Sequence, residues 1–374
     1  MTRHRGRFAA GFIVIGMVLA ACSGPGGATT RPTTGATTAP ASAPAATPTA
    51  APTATAPAAM TDVAIQLDFV LSGYLPLLWG QDKGYFESRG LNPDFIVGEG
   101  SSDALTAINA GQVDFAFLDG SNFIEARAAG ESNTTAIYVW YPISTTGIIS
   151  TEEIVEPEDM IGKTFGTVPQ SSGRNKIPAI LQENGVDYAF PEEDGSLVEL
   201  MDFGVLYPTL FAGDIDTAEA GLAGSWESAK ASAAEQEPPI EVFFKPISDW
   251  GYKDYSKLLL ATDEIIESDP DLVSRVVAAI WESETDALAN ATGDQMFELL
   301  SAADPQAEEG RTLATWESVQ QYMVNPGPID PSVFQYQLDF ISGQGDDIGD
   351  LTPEDLYTNE FIPEGAPAPS PSAT

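Results

Sequence analysis

The chain of 374 residues carries 55 acidic and 16 basic residues, one cysteine (Cys22) and one histidine (His4). Four basic residues precede Asp62, so the rest of the chain combines 12 basic with 55 acidic residues, a net charge of −43. This acidity excludes nucleic-acid binding, which needs a basic surface. With no histidine or second cysteine beyond Cys22, catalytic Ser-His-Asp or Cys-His sites and His/Cys zinc sites are excluded as well. These exclusions favour a binding protein over an enzyme, and we expect no cofactor and no metal.

The first 22 residues predict export and anchoring. Three arginines precede an apolar run over 9–21, which is too short to span a bilayer permanently. The motif Leu-Ala-Ala-Cys at 19–22 resembles the lipobox of bacterial lipoproteins, which implies that a signal peptide over 1–21 is removed and that Cys22 is lipidated. The alternative is an ordinary secretory signal with a chance cysteine. We expect a chain held by lipid on the extracytoplasmic side of the cell membrane.

A low-complexity stretch follows the cysteine. Residues 23–60 consist almost entirely of Ala, Thr, Pro, Gly and Ser, and 363–374 have the same composition. Such stretches bury too little apolar surface to offset ordering entropy, so we predict a disordered linker over 22–60 and a disordered tail. The linker could reach on the order of 100 Å at ~3.1 Å per residue. The body between them, 61–362, exceeds what one core usually holds, so two lobes are expected.

Short apolar runs alternate with helical patterns from residue 63 onward. Strands are predicted over 63–69, 91–97 and 113–118, and helices over 74–88, 101–110 and 122–129. The serines and aspartate at 101–103 offer N-cap chemistry for the second helix, and Gly111 offers its stop. Strands and helices interleaved at this spacing predict βαβ units and a parallel-type sheet.

A short internal echo indicates that the two lobes are alike. Residues 110–116 (AGQVDFA) are echoed by 212–218 (AGDIDTA), and in both a predicted helix ends at glycine just before a strand. We interpret the two segments as corresponding units of similar α/β lobes.

The later chain is predicted to be mostly helical. Residues 257–261 are typical of a strand that returns the chain to the first lobe. Asp269 and Pro270 supply an N-cap and a first-turn proline for a helix whose apolar residues recur at helical spacing. Further helices are predicted over 294–302, 309–322 and 331–342.

The order of these segments resembles one known family. The segments are 81–86 (QDKGYF), 98–105 (GEGSSDAL), 110–115 (AGQVDF), 161–166 (IGKTFG), 260–264 (LATDE) and 357–363 (YTNEFIP). Together they are similar to the nitrate/sulfonate/taurine and thiamine-precursor group of ABC-transporter substrate-binding proteins. The last segment resembles the C-terminal signature of the branch that binds thiamine pyrimidine precursors and riboflavin. That branch usually carries Leu-Asp-Trp-x-Pro-Asn after its first strand, whereas residues 67–72 read LDFVLS.

The resemblance implies an α/β fold of the type II periplasmic-binding class, with two lobes, parallel-type mixed sheets and C-terminal helices on the first lobe. Its two crossovers are expected near 149–151 and 255–259. The first lobe would then comprise 61–150 and 257–362, and the second lobe 151–256. The resemblance also implies an ABC permease in the membrane as partner, and we expect a monomer.

In open α/β sheets a ligand lies beyond the carboxyl ends of the strands. The candidate ligand-binding residues at these positions are Asp68, Phe69, Tyr74, Ser101, Ser102, Asp119, Ser121, Tyr141, Ser172, Arg174, Glu219 and Trp226. The serines at 101–102 and 171–172 open predicted helices, where backbone N–H groups favour an acceptor, with plain N-capping as the alternative. Arg174 could clamp a carboxylate or phosphate, or form a salt bridge at the rim.

The acidic candidates offer acceptors for amino or ring N–H groups. Six aromatic residues could stack on a flat ring, and we expect half of them to face the cleft: Phe69, Tyr74, Trp140, Tyr141, Tyr207 and Trp226. We therefore predict the solute-binding component of an ABC importer that captures a thiamine pyrimidine precursor or a riboflavin-like vitamin.

Three other functions stay open. A carrier of alkanesulfonate, taurine or nitrate would need concentrated positive donors. The related eukaryotic pyrimidine synthases share the fold but use an active-site histidine, which the body lacks. A sensory or adhesive lipoprotein could keep the fold without a permease.

Overall fold

The computed structural model describes residues 60–368 except 170, 187–197, 223, 324–325 and 346. The predicted signal peptide, the lipidation site Cys22, the linker up to residue 59 and the tail from residue 369 lie outside the described residues. Those predictions therefore stay predictions.

Strands and helices alternate along the first two thirds of the described chain, and helices dominate afterwards. The strands are β1 (Thr61–Leu67), β2 (Leu91–Val97), β3 (Phe115–Leu118), β4 (Thr134–Tyr141), β5 (Thr146–Ser150), β6 (Phe165–Thr167), β7 (Val198–Leu200), β8 (Thr217–Gly221), β9 (Phe243–Pro246) and β10 (Lys257–Thr262). The α-helices are α1 (Leu75–Asp82), α2 (Ser101–Asn109), α3 (Gly120–Ala128), α4 (Gly173–Glu183), α5 (Phe203–Ala212), α6 (Ser225–Ala234), α7 (Asp263–Ser268), α8 (Pro270–Asn290), α9 (Gly293–Ala303), α10 (Glu309–Tyr322) and α11 (Pro331–Gly343).

These strands form two five-stranded sheets, one in each lobe. The first has the order β2–β1–β3–β10–β4, and the second has the order β7–β6–β8–β5–β9. In each sheet three parallel strands are followed by one strand that runs antiparallel to both of its neighbours. Apolar side chains cover the sheets from both faces, and α8 to α11 pack on the first lobe. The predicted two-lobe α/β fold with mixed sheets is confirmed.

The first crossover between the lobes comes earlier than predicted. We expected it near 149–151, but β5 pairs with β8 and β9 in the second sheet. Since β4 ends at Tyr141, the chain crosses over 142–145. Pro142 explains the break, because it has no N–H to continue the ladder of β4. The chain returns to the first sheet between Pro246 and Lys257.

The two echoing segments have the same place in their lobes. Gly111 and Gly213 follow α2 and α5 with left-handed φ angles of 66° and 76°. The Asp114 carboxylate accepts the backbone N–H of Ala64 at 2.8 Å, and the Asp216 carboxylate accepts that of Thr164 at 2.7 Å. Each aspartate thus ties the start of β3 or β8 to its parallel neighbour. The interpretation of corresponding units is confirmed.

Local capping signals account for the helices whose observed positions agree best with the predicted ones. The Asp269 side chain accepts the N–H of Leu272 at 3.0 Å and Pro270 opens α8, as predicted. The predicted helix over 74–88 differs, because it consists of α1 between two short 3-10 turns. Gly84, with a φ of 75°, breaks it. Among the described residues we find no helix with the length and apolar character that crossing a membrane requires.

Candidate ligand-binding site

A cavity of about 670 Å³ lies between the two lobes. Its walls come from segments that follow strands of the first sheet, from both crossovers, from the helices of the second lobe, and from α9, α10 and their connection in the first lobe. The lining residues that the following paragraphs use are Asp68, Phe69, Tyr74, Ser101, Tyr141, Thr145, Ser171, Ser172, Phe203, Tyr207, Phe211, Glu219, Ser256 and Lys257. The cavity is therefore where the strand ends of two α/β lobes meet, as expected for a ligand site.

The lobes touch each other around this cavity. The rings of Phe69 and Phe203 meet edge to face with centroids 5.5 Å apart. On another side, the Asn175 amide of α4 donates to Glu125 of α3 at 3.1 Å. A ligand in the cavity is thus enclosed by both lobes.

Asp68 organises the first-lobe wall. It directly follows β1, is 1% exposed, and accepts the Tyr74 hydroxyl at 2.6 Å and the Ser101 hydroxyl at 2.8 Å. The Lys257 ammonium lies 2.7 Å from the same carboxylate. Burial and the Asp68 charge hold the pKa of Tyr74 well above its usual range, so its hydroxyl remains a donor. Three donors occupy most of the acceptor positions of Asp68.

Ser101 and Ser172 do not cap the helices at whose starts they lie, whereas the Ser171 hydroxyl accepts the N–H of Gly173, the first residue of α4, at 3.1 Å. Gly100, rather than Ser101, is the N-cap of α2, and no side chain caps that helix. The Ser101 hydroxyl accepts the backbone N–H of Asp119 at 3.1 Å while donating to Asp68. Ser172 likewise makes no capping hydrogen bond to α4. The N-capping alternative is therefore wrong for these two serines.

Glu219 is the main acceptor on the second-lobe wall. It lies in β8, is partly buried, and accepts the Thr167 hydroxyl at 2.5 Å and the Ser171 hydroxyl. Burial raises the pKa of this carboxyl although both hydroxyls oppose the shift. A Cβ at Gly173 would lie 2.4 Å from the Glu219 carboxyl carbon, so only glycine lets the start of α4 come this close.

Aromatic rings form the apolar walls. Four of the six predicted rings line the cavity, which is one more than expected: Phe69, Tyr74, Tyr141 and Tyr207. Phe203 and Phe211 also line it, and both were missed. Together with Tyr207 they recur every fourth residue along α5, and this spacing places them on one helix face. That stripe is visible in the sequence and could have been found.

Seven of the twelve candidate residues line the cavity, and the structure places the other five elsewhere. Trp226 packs on Phe244 of the second-lobe core, with centroids 5.4 Å apart. Ser102 accepts the Asn122 amide at 3.2 Å. Arg174 lies on α4 roughly 200° around the helix from Lys176, the residue that faces the first lobe. The structure therefore does not place Arg174 in the wall of this cavity.

The remaining two candidates, Asp119 and Ser121, belong to a buried ion cluster beside the cavity. We use "ion cluster" for Asp119, Lys176 and Asp254, which are 1%, 2% and 0% exposed. The Lys176 ammonium contacts both carboxylates, and Ser121 donates its backbone N–H to Asp119 at 2.9 Å. Asp119 follows β3 in the first lobe, Lys176 lies on α4 in the second, and Asp254 lies on the return crossover. The cluster therefore joins both lobes at their connection.

The charges in this cluster stabilise each other. Burial disfavours the ammonium of Lys176, but the two carboxylates outweigh burial and raise its pKa above the usual range. Burial also disfavours the Asp119 carboxylate, but Lys176 and Lys257 hold its pKa below the usual value. Burial and the charge of Asp119 raise the pKa of Asp254, although the charge of Lys176 lowers it. We therefore regard Lys176 and Asp119 as the charged pair.

Sequence reasoning also missed Lys257, the first residue of β10. Its side chain is 19% exposed and it brings a cation to the cavity wall. A charged residue that opens an apolar strand at a crossover was the available signal. Within the described ranges, no group of three or more His, Cys, Asp or Glu side chains is placed to hold a metal ion.

Two relatives are similar to most of this body. A binding protein of Brucella abortus (strain 2308) is 23% identical over 267 residues, which cover 66% of this chain and 78% of that protein. The formylaminopyrimidine-binding protein of Halalkalibacterium halodurans is 22% identical over 228 residues, which cover 60% of this chain and 64% of that protein.

The fold is also known from solved structures. The periplasmic aliphatic sulphonate-binding protein of Escherichia coli matches with a TM-score of 0.62 at 16% identity, covering 80% of this chain and 98% of that one. The predicted periplasmic-binding fold is thus confirmed. Residues 72–292, more than half of the chain, match the profile of the NMT1/THI5-like family. The predicted family resemblance is confirmed, and the chain belongs to the NMT1/THI5-like family.

Proposed function

We propose that this protein is the solute-binding component of an ABC importer and that it captures a small aromatic heterocycle with N–H donors between its lobes. The observation that carries the proposal is the combination of six aromatic side chains with the Glu219 acceptor in one enclosed cavity. Flat rings gain from stacking on such walls, and a partly buried carboxyl accepts hydrogen bonds from amino or ring N–H groups.

The charge of the cavity argues against a small anion. Besides three tyrosines, the ionisable groups among the described residues that line it are four carboxyl groups and two cations. Both cations are engaged, since Lys257 lies 2.7 Å from Asp68 and Arg311 lies 3.3 Å from Glu308. A nitrate or sulfonate would have to displace these carboxylates, whereas an amine-bearing ring adds donors where acceptors are in excess.

Transport, rather than catalysis, fits the composition. The only histidine is His4, so a histidine-dependent pyrimidine synthase has no candidate residue in the body. A lipid anchor at Cys22 would hold the closed, loaded form near a membrane permease. Ligand affinity that is higher for the closed form would drive closure.

A thermal-shift screen tests this function. The chain from residue 22 with Cys22→Ser, which removes the lipidation site, is heated with hydroxymethylpyrimidine, formylaminopyrimidine, riboflavin, taurine or nitrate. A heterocycle at 100 times its Kd should add about 2.7 kcal/mol of stability and raise the Tm by several degrees. Stabilisation by taurine or nitrate alone would overturn the proposed ligand class.

A further inference from the structure

The cavity extends beyond the part that holds Asp68, Lys257 and Glu219. We call that part the inner compartment. The outer compartment lies between α6 of the second lobe and α10 of the first, and its lining includes Ser228, Ser232, Gln236, Glu308, Arg311 and Thr315. Both compartments belong to one continuous cavity of about 670 Å³. This size lies well inside the range of about 300–1,000 Å³ for ligands of drug size, so a single small ring would leave much of it unfilled.

The outer compartment is built from uncharged polar groups on one helix face. Ser225, Ser228 and Ser232 follow each other along α6 at intervals of three or four residues, and Gln236 lies just beyond the end of this helix. All four line the cavity. Thr312 and Thr315 of α10 add two hydroxyls. Hydroxyl and amide groups both donate and accept hydrogen bonds, so they suit a ligand group that does the same.

The charged groups of this compartment favour a neutral ligand group over an anion. Asp304 and Glu308 contribute two carboxylates against the single guanidinium of Arg311, which lies 3.3 Å from Glu308. The Arg311 Nε is buried, and no hydrogen-bond partner for it occurs in the described part of the chain. A buried donor without an acceptor is costly, so a shift of this side chain that brings the Nε to a ligand oxygen would be stabilising.

We infer that the ligand has two parts, an aromatic ring in the inner compartment and an uncharged substituent with several hydroxyl or amide groups in the outer compartment. This inference rests on the proposed function. The substituent would contact α6 and α10 together, which Ser318 and Glu227 already join by a hydrogen bond of 3.3 Å. Filling the outer compartment therefore favours the closed lobes as well as affinity.

Three flavins that share one ring system provide matched probes. Lumiflavin carries a methyl group, riboflavin an uncharged polyhydroxyl chain, and flavin mononucleotide the same chain with a phosphate. Calorimetric titration of the Cys22→Ser chain should show riboflavin binding at least about tenfold more tightly than lumiflavin, which corresponds to one or two hydrogen bonds. Flavin mononucleotide should bind more weakly than riboflavin, because its phosphate meets Asp304 and Glu308.

A paired substitution separates the two compartments. Ser228→Leu should weaken the binding of riboflavin about tenfold while leaving the Kd of lumiflavin within about twofold. Comparing one substitution across two ligands isolates the contribution of the polyhydroxyl chain, by the logic of a double-mutant cycle. Ser274→Leu, at an exposed position on α8, is the control and should change neither Kd.

The outcomes distinguish this inference from the proposed function. Equal Kd values for lumiflavin and riboflavin, tighter binding of flavin mononucleotide, or binding of hydroxymethylpyrimidine without any flavin would each overturn the two-part ligand and leave the proposed function standing. If neither the flavins nor the pyrimidines bind, the proposed function fails and the inference fails with it.

Discussion

Replacing Lys176 by methionine would remove the one cation of the buried ion cluster. Methionine has nearly the same length and packs well in apolar surroundings. The Asp119 carboxylate, 1% exposed, would then lie buried without the cation that contacts it. Breaking a buried ion pair by removing one partner costs about 3–5 kcal/mol. Because Asp119 is the charged partner of Lys176, we expect a loss within that range at pH 7.

The loss should depend on pH in a defined direction. In the native protein Lys176 lowers the pKa of Asp119, so this pair adds stability above the unfolded pKa of about 3.9 and loses it as the pH falls. Without Lys176, burial raises the pKa of Asp119, so the variant becomes less stable as the pH rises above about 3.9. The difference between wild type and Lys176→Met should therefore be largest near pH 7 and shrink towards pH 4.

Urea denaturation of the Cys22→Ser chain at pH 7 and pH 5, followed by circular dichroism, measures this difference. Lys230→Met is the matched control, because Lys230 pairs with Glu227 on the surface with 44% of its side chain exposed. A surface pair contributes about 0–1 kcal/mol, so this control should change little. Adding Asp119→Asn and Asp254→Asn to Lys176→Met should recover part of the loss. A loss below about 1 kcal/mol at pH 7, without pH dependence, would refute the reasoning.

Three further substitutions have defined outcomes. Glu284 is fully buried and burial raises its pKa well above the usual value, so this residue destabilises the fold increasingly as the pH rises above about 4.3. The stability of Glu284→Gln, measured by urea titration, should therefore rise relative to wild type by up to about 1.4 kcal/mol per pH unit. Parallel stability curves of the two proteins would contradict this. Glu219→Gln should weaken binding of an amine-bearing heterocycle about tenfold in calorimetry without loss of stability, and an unchanged Kd would remove Glu219 from the site. Gly173→Ala should lower the free energy of unfolding by about 1–3 kcal/mol, because the added Cβ meets Glu219. Gly204→Ala is the control, since a Cβ at this position has open space around it. Equal thermal stability of the two variants would contradict the close approach at Gly173.

Local signals explain why most elements could be predicted. The N-cap and proline at 269–270 act within one helical turn, and the observed α10 has the bounds predicted for it. The first crossover was misplaced because β5 is as apolar as a continuation of β4. Only hydrogen-bond pairing with β8, across tens of residues, assigns it to the second sheet.

The candidate site could be predicted where position along a strand decides it. Asp68 follows β1, Ser101 opens a helix that follows β2, and Tyr141 ends β4, so the rule of strand ends was sufficient for them. The position of Arg174 outside the cavity wall could not be predicted, because the direction of its side chain depends on which face of α4 meets the first lobe. The ion cluster could not be predicted at all, since Lys176 pairs with residues 57 and 78 positions away.

A calorimetric titration of the Cys22→Ser chain with riboflavin, hydroxymethylpyrimidine and taurine tests the central claim most directly. We predict saturable binding of one heterocycle per chain and no measurable heat with taurine. Saturable binding of taurine, with no heat from either heterocycle, would contradict the account.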